Sequence, residues 1–589
     1  MSDKENTLSV EHHFSGKVEK FTWRDEKSSL TRCPHTDLKK MAQKAMNYFL
    51  RTPIPELNYA CRFSNELSTC PPGPQGEDLV AHGDTDIRME STLLGLRALS
   101  GVKERPDVDK GLYRRIMGYV GKDNLSYAPY AMCCASDMPP ETIIGSPWTT
   151  GWTIRSLTEH WLYSHNLDFL KRAKKMVRAL MHIAHWDTGR AYYPGGMLLN
   201  GKWFGSGFGL KTAFYTTLSC DLLHYATVSG DEEATLFAYA LARGVVADLP
   251  GEDGPFSMCH RRFRPDGSFT DHSHMHTRTL WGIAMAGRVM QDVTLIEWAR
   301  RGYEFVRSCG TDFGWFPERI ILIGEHPCDG YEERVNVSET CVTGDMLQTA
   351  VELARAGYPH YWDHVERYVK NYLLETQFSV TPAVKEFYQK KHASRPAKEV
   401  ENGLADLLDF EGGFMSVIAV NDWYNEILGP LNLGGCCVQE GARGVVTAWR
   451  NTVQKEGSTI KVNMNFDWDG DVGVVKEKGN GIHLKAKVKA NYLVRPPDWT
   501  DRHSVLARRG RKSVKADWSG DYFLFSNVKK GEDLELTWQV PRFSQKVEVG
   551  GKIGAKVPYT IVWEGNRVME IIPPGTVFPI FNRPQRGKS

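Results

Sequence analysis

Apolar positions recur at helical spacing through most of the chain. Leu38, Met41, Ala42, Ala45, Met46 and Phe49 form one stripe, and Met89, Leu93, Leu96 and Leu99 another. Phe169, Leu170, Ala173, Met176, Val177, Leu180 and Met181 repeat the pattern at steps of three and four. That spacing places each set on one face of an amphipathic helix. Further helices are expected at 211–229, 231–247, 276–292, 294–308, 342–356 and 359–373. Several are joined by links as short as Ser229-Gly230-Asp231 and Ala356-Gly357-Tyr358-Pro359, which predicts antiparallel helical hairpins.

After Arg450 the period changes. Ile460, Val462, Met464 and Phe466 alternate with polar neighbours, and the runs 483–490, 522–525 and 534–540 alternate in the same way. Period two, broken by Gly, Asp and Asn turns, reads as β-strands. The pattern predicts a helical region at 31–450 and a β-sandwich at 451–589, one sandwich or two. An N-terminal segment, 1–30, is expected to join it through a strand within 9–25.

Composition narrows the class without changing this picture. The 589 residues are 41% hydrophobic and 24% charged, ordinary globular values. No apolar run approaches the ~20 residues that a bilayer requires, so no membrane partner is expected. The net charge of +2 argues against a nucleic-acid partner. The basic run Arg502 to Lys515 reads as a solvated hairpin, and Lys390 to Asn402 as an exposed loop. Met1 to Ser9 is polar, with no apolar signal core, which predicts a cytoplasmic protein. Twelve cysteines in so long a chain, without a regular framework, point to free thiols.

Three groups could carry chemistry. Glu339-Thr-Cys341 and Cys436-Cys437 together offer three sulfurs and one carboxylate, a donor set that zinc accepts. By spacing alone the set is weak, and Cys133-Cys134 repeats the dipeptide with no companions. Glu325, Asp329, Glu332 and Glu333 crowd the stretch before Glu339, and glycoside hydrolysis needs carboxyl groups as proton donor and base. His272, His274 and His276 alternate just before a helical pattern, and either metal ligation or hydrogen bonding to a polyol suits them; His260 nearby is undecided. Trp152, Trp203 and Trp315 lie in aromatic loops or at their edges, where sugar stacking and ordinary packing compete. Arg443 either steadies the site or caps a helix.

Taken in order along the chain, these motifs resemble glycoside hydrolase family 127, the β-L-arabinofuranosidase family, and its close relatives. The resemblance rests on Gly324-Glu325, Glu339-Thr-Cys341, Cys436-Cys437 and Ala442-Arg443. In the β region it rests on Arg495-Pro-Pro-Asp-Trp499, Asp521-Tyr522 and Lys530-Gly-Glu532. It implies an (α/α)6 barrel followed by a β-sandwich. It also implies zinc held by Glu339, Cys341, Cys436 and Cys437, with Cys436 as nucleophile and Glu325 as acid/base. His276 resembles the family's sugar-contacting histidine, and His274 and Trp152 are expected, from the histidine cluster and the aromatic loops, to bind substrate beside it. Two departures stand out: Val438-Gln-Glu-Gly441 follows the cysteine pair, and the residues just before it, Leu433-Gly-Gly435, lack the arginine that some members place there.

The expectation is a retaining, exo-acting glycosidase for β-L-arabinofuranosides or a related unusual sugar, carried on a small oligosaccharide or glycoconjugate. A homodimer is left open. Two other readings stand beside it. One is another (α/α)6 enzyme, a hydrolase or lyase on uronic-acid sugars, using Asp84, Asp86 or the histidines. The other is a non-catalytic sugar-binding protein with a structural zinc.

Overall fold

The structure is a computed structural model. It describes residues 10–23, 36–74, 85–129, 143–193, 197–199, 202–204, 218–246, 263–327, 331–427, 429 and 431–581. Met1–Ser9, Asp84, Cys133-Cys134, His260, Asp329 and the side chain of Trp203 lie outside the described residues.

Six helices are buried on nearly all sides: α1 (Thr85–Ser100), α2 (Pro147–Ser164), α3 (Ser219–Ser229), α4 (Ser273–Met290), α5 (Thr340–Arg355) and α6 (Gly435–Thr452). Each packs against the next, and α6 packs back against α1. Burial all round needs small residues at close approaches. A Cβ on Gly344 of α5 would lie 3.1 Å from the Glu440 carbonyl oxygen of α6.

Outer helices are one-sided and cover this ring. Leu167–Ile183 buries only Ala173, Met176, Val177 and Leu180, positions spaced for a single face. It packs on α2, as Leu38–Arg51 does on α1 and α6, Glu232–Val246 on α3, and Val293–Cys309 on α4. Most helices expected from periodicity are present. The one expected at 211–229 is described from Ser219 onward, and 211–217 lie outside the described residues. The exposed loop expected at 390–402 is a correction: Pro382–Lys391 and Ala397–Asp406 are helical there. The Thr381 side chain caps the first by accepting from the Val384 amide, and Pro396 opens the second.

Beyond α6 the chain builds a five-stranded and a six-stranded sheet. Alternate residues turn inward: Ile460, Val462, Tyr492, Val494, Phe523 and Phe525 from one sheet, Val475, Ile482, Leu484, Leu534 and Leu536 from the other. The Tyr492 hydroxyl crosses to the Val472 carbonyl at 2.7 Å. A third sheet of four strands pairs Lys17–Trp23 antiparallel with Pro541–Val549. The basic run forms an exposed hairpin, Leu506–Arg509 with Lys512–Val514. No helix among the described residues is long and apolar enough to cross a membrane.

The Arg495 motif fastens the β region to the helices. Arg495, fully buried, donates to both Asp363 oxygens at 3.0 and 3.2 Å and to Asp498 at 2.8 Å. Asp363 belongs to the outer helix Tyr361–Arg367. Trp499 Nε1 donates to Asn566 Oδ1 at 2.9 Å.

Candidate active site

The N-terminal ends of α4, α5 and α6 bring together residues far apart in sequence. Glu339 is the N-cap of α5, and Cys341 stands at its second position. Gly434 is the N-cap of α6, so Cys436 and Cys437 occupy the second and third positions. The strand Asn432–Gly434, paired with Ser64–Glu66, delivers the chain into α6. Gly435 passes so close to α1 that a Cβ would lie 2.5 Å from Thr85 Cγ2, which explains the glycine ahead of the cysteine pair.

Glu339, Cys341, Cys436 and Cys437 offer donor atoms within 4.8 Å of one another. Cys341 Sγ lies 3.5 Å from Cys437 Sγ, and Cys436 Sγ lies 3.9 Å from both Cys437 Sγ and Glu339 Oε1. Cys341 and Cys437 are buried, whereas Cys436 is partly exposed. Burial pushes the Cys341 and Cys437 thiols well up. Hydrogen bonds from those two sulfurs hold Cys436 well below the usual thiol range. Two helix N-termini add positive potential, which favours the thiolate further. Three thiols and a carboxylate packed so closely are a donor set for a thiophilic divalent cation.

A second group overlaps the first. His272, Glu318 and Glu339 also place donor atoms within 4.8 Å. His272 Nε2 lies 2.8 Å from Glu339 Oε2. Glu318 Oε1 accepts from Arg334 at 2.8 Å, while its Oε2 is buried without a hydrogen-bond partner among the described residues. Burial and the Glu339 charge push the Glu318 carboxyl up to about 7. Burial also moves Glu339 up, to about 6.

Compared with solved structures, the chain aligns over 90% of its length, and 80% of the other's, with a GH127 β-L-arabinofuranosidase from Geobacillus stearothermophilus T6. The TM-score is 0.56 at 12% identity. A second GH127 β-arabinofuranosidase aligns over 95% of this chain and 85% of its own, with TM-score 0.55 and 13% identity. The chain has the fold of these GH127 proteins. By sequence it matches no protein-family model and no curated protein.

Within this GH127-like fold the remaining expected residues fall in three places. Glu325 sits on a turn beyond the strand Arg319–Ile320, in an ion pair with Arg264, and is not among the clustered donors. Glu332 and Glu333 lie in a separate 3-10 turn, Glu332–Asn336.

His274 and Trp152 belong to a charged network inside the ring. His274 Nδ1 meets Asp345 at 2.7 Å, and its Nε2 faces Arg88 at 3.4 Å. Burial opposes charge on His274, but Asp345 prevails and raises its pKa. Trp152, with no exposed surface, has Arg278 over its ring at 3.8 Å and Arg443 at 4.3 Å. Arg443 also grips both Glu440 oxygens, at 2.8 and 2.9 Å.

Packing takes the others. His276 is fully buried, stacked on Phe269 at 4.0 Å, and its Nδ1 donates to the His272 carbonyl at 2.8 Å. Trp315 is likewise buried and donates to the Ile418 carbonyl. Asp86 is held by Arg115 at 2.6 Å and Tyr119 at 2.7 Å. Sequence reasoning missed Glu318. It sits in an aromatic loop, and the bridge between Pro317 and Ser338, with the Glu318 amide donating to the Val337 carbonyl at 2.8 Å, brings it beside Glu339.

Proposed function

We propose that this chain is a retaining glycoside hydrolase with an (α/α)6 barrel spanning 31–450 and Cys436 as nucleophile. The ring of six inner helices supports the barrel, and the GH127-like fold supports the reaction class. The observation that carries the reading is the convergence of Glu339, Cys341, Cys436 and Cys437 at two helix N-termini, with Cys436 the partly exposed sulfur.

Zinc is the ion that suits this donor set. Sulfurs bound to one tetrahedral zinc at ~2.3 Å stand roughly 3.8 Å apart. The separations of 3.5 and 3.9 Å match that spacing. Glu339, Cys341, Cys436 and Cys437 would hold the ion, which supplies the positive charge that keeps thiols ionised at neutral pH.

Cys436 Sγ attacks the anomeric carbon, and the bond to the leaving oxygen breaks as a proton reaches that oxygen. Water, deprotonated by the same acid/base group, then attacks the anomeric carbon from the face that the leaving group vacated, opposite the sulfur, which leaves as the thiolate; two inversions retain the anomeric configuration. Glu325 is the acid/base by resemblance. A second reading gives that role to Glu318, favoured by its unpaired Oε2 beside Glu339, whereas Arg264 engages Glu325. His274, His276 and Trp152 then support the pocket from behind, since all three are buried. The glycone is a β-L-arabinofuranose or a related unusual sugar, removed from the end of a small oligosaccharide or glycoconjugate in the cytoplasm.

The test is hydrolysis of a panel of aryl furanosides and pyranosides by wild type and Cys436→Ser, with zinc measured in both. Turnover by wild type, lost in the variant, is expected. Undiminished turnover in Cys436→Ser contradicts the assignment. Zinc near one per chain without turnover of any glycoside favours a binding protein with a structural ion.

A further inference from the structure

Glu339 has two carboxylate oxygens, and they face different neighbours. Oε1 lies 3.9 Å from Cys436 Sγ, on the thiol side. Oε2 is 2.8 Å from His272 Nε2. We propose that His272 is a positioning residue for the metal: it holds one oxygen of Glu339 and leaves the other as the single carboxylate donor. The inference rests on the zinc reading above and deepens it.

His272 is itself firmly placed. It pairs with Arg319 in the two-stranded ribbon Asp271–His272 with Arg319–Ile320, and it is the N-cap of α4. Its carbonyl accepts from His276 Nδ1 at 2.8 Å. The His276 ring lies flat on Phe269, with centroids 4.0 Å apart and planes 2° apart, and Phe263 closes on its edge at 4.9 Å. An aromatic clamp thus fixes the backbone that carries the His272 ring. Glu318 stands within 4.8 Å of both groups, anchored through Oε1 by Arg334. With two carboxyl groups this close, a hydrogen-bond donor is the favourable partner for Glu339 Oε2, a role His272 fills.

The consequence concerns coordination number. A carboxylate free to rotate binds an ion through one oxygen or two, and the second mode adds a fifth donor. With Oε2 engaged by His272, the residues that would hold the ion would offer it three sulfurs and one oxygen, the four donors zinc takes in closed sites. Partners that orient metal ligands in this way are typically worth 10–100-fold in affinity.

The test uses the full chain loaded with zinc. Affinity is read by competition with a chromophoric chelator, and ligand number by X-ray absorption at the zinc edge. Wild type is expected to bind one ion with three sulfurs and one oxygen. His272→Ala is expected to bind about 10–100-fold more weakly and to gain an oxygen neighbour. His272→Gln, whose amide also donates, is expected to recover most of the affinity and guards against a folding defect. Equal affinity and an unchanged shell in wild type and His272→Ala overturn the proposal and leave the zinc–cysteine reading standing. Two ions per chain, falling to one in both His272→Ala and Glu318→Gln, also overturn it, because His272 is then a ligand of a second cation. A wild type that binds no zinc removes the proposed function and this inference together.

Discussion

The thiol cluster and the Arg495 junction both bury ionisable groups, and they pair their carboxylates differently. At the junction Arg495 spends Nε on the Asn463 carbonyl and its other nitrogens on Asp363 and Asp498. Asp363 also accepts from the Asp498 amide and from Asn566, both at 2.9 Å. Around the cluster, Glu318 Oε2 in its loop and Asp345 Oδ1, one turn further into α5, are buried carboxylate oxygens without a hydrogen bond among the described residues. A buried carboxylate oxygen left without a partner costs folding free energy, which a bound group can offset. On the proposed reading, the junction serves stability and the open carboxylate oxygen beside the thiols serves the reaction.

That contrast breaks most visibly if a ligand of the cluster is removed. Cys341→Ala is expected to lower bound zinc from near one per chain to near zero, measured by elemental analysis. Structural zinc is worth about 10 kcal/mol or more in small domains, so this is the largest effect. Arg495→Ala comes next. It strands Asp363 in the interior and should cost about 3–5 kcal/mol in denaturant unfolding, with zinc content unchanged. A parallel loss of zinc would show that the two regions are not separable.

Acid sharpens the comparison. Burial alone would push the Asp312 carboxyl up, but Arg307, Arg367 and the Ser15 amide pull it down to about 2. Its folded pKa is depressed, so its contribution is present above the unfolded value near 4 and is lost as pH falls towards 2. The loss should be about 2 kcal/mol, and Asp312→Asn should flatten that limb of the stability–pH curve. An unchanged limb would mean that Asp312 does not carry it. The smallest effect belongs to the exposed hairpin: Lys512→Ala should stay within about 0.5 kcal/mol of wild type.

Much of this was legible in the chain. Helical periodicity found the outer helices because each buries one face, as Leu167–Ile183 does. It also found α4 and α5, whose all-round burial blurs the stripe but leaves small and apolar residues dense. Ordered motifs located Glu339, Cys341, Cys436 and Cys437, which the fold does bring together. Side-chain direction was not legible. His272, His274 and His276 are two residues apart, yet one meets Glu339, one Asp345 and one Phe269, because the chain leaves a strand and enters a helix between them. Glu318 was invisible for a related reason: its place beside Glu339 depends on an isolated bridge, Pro317 with Ser338, too short to leave a period.

The most direct test of the central claim is covalent trapping. The zinc-loaded chain is incubated with whichever aryl glycoside it hydrolyses, quenched in acid, digested and analysed by mass spectrometry. The account predicts one glycosyl unit on the peptide carrying Cys436, absent from Cys436→Ser. A glycosyl unit on a carboxylate such as Glu318 or Glu325, or a product of inverted anomeric configuration, would contradict it.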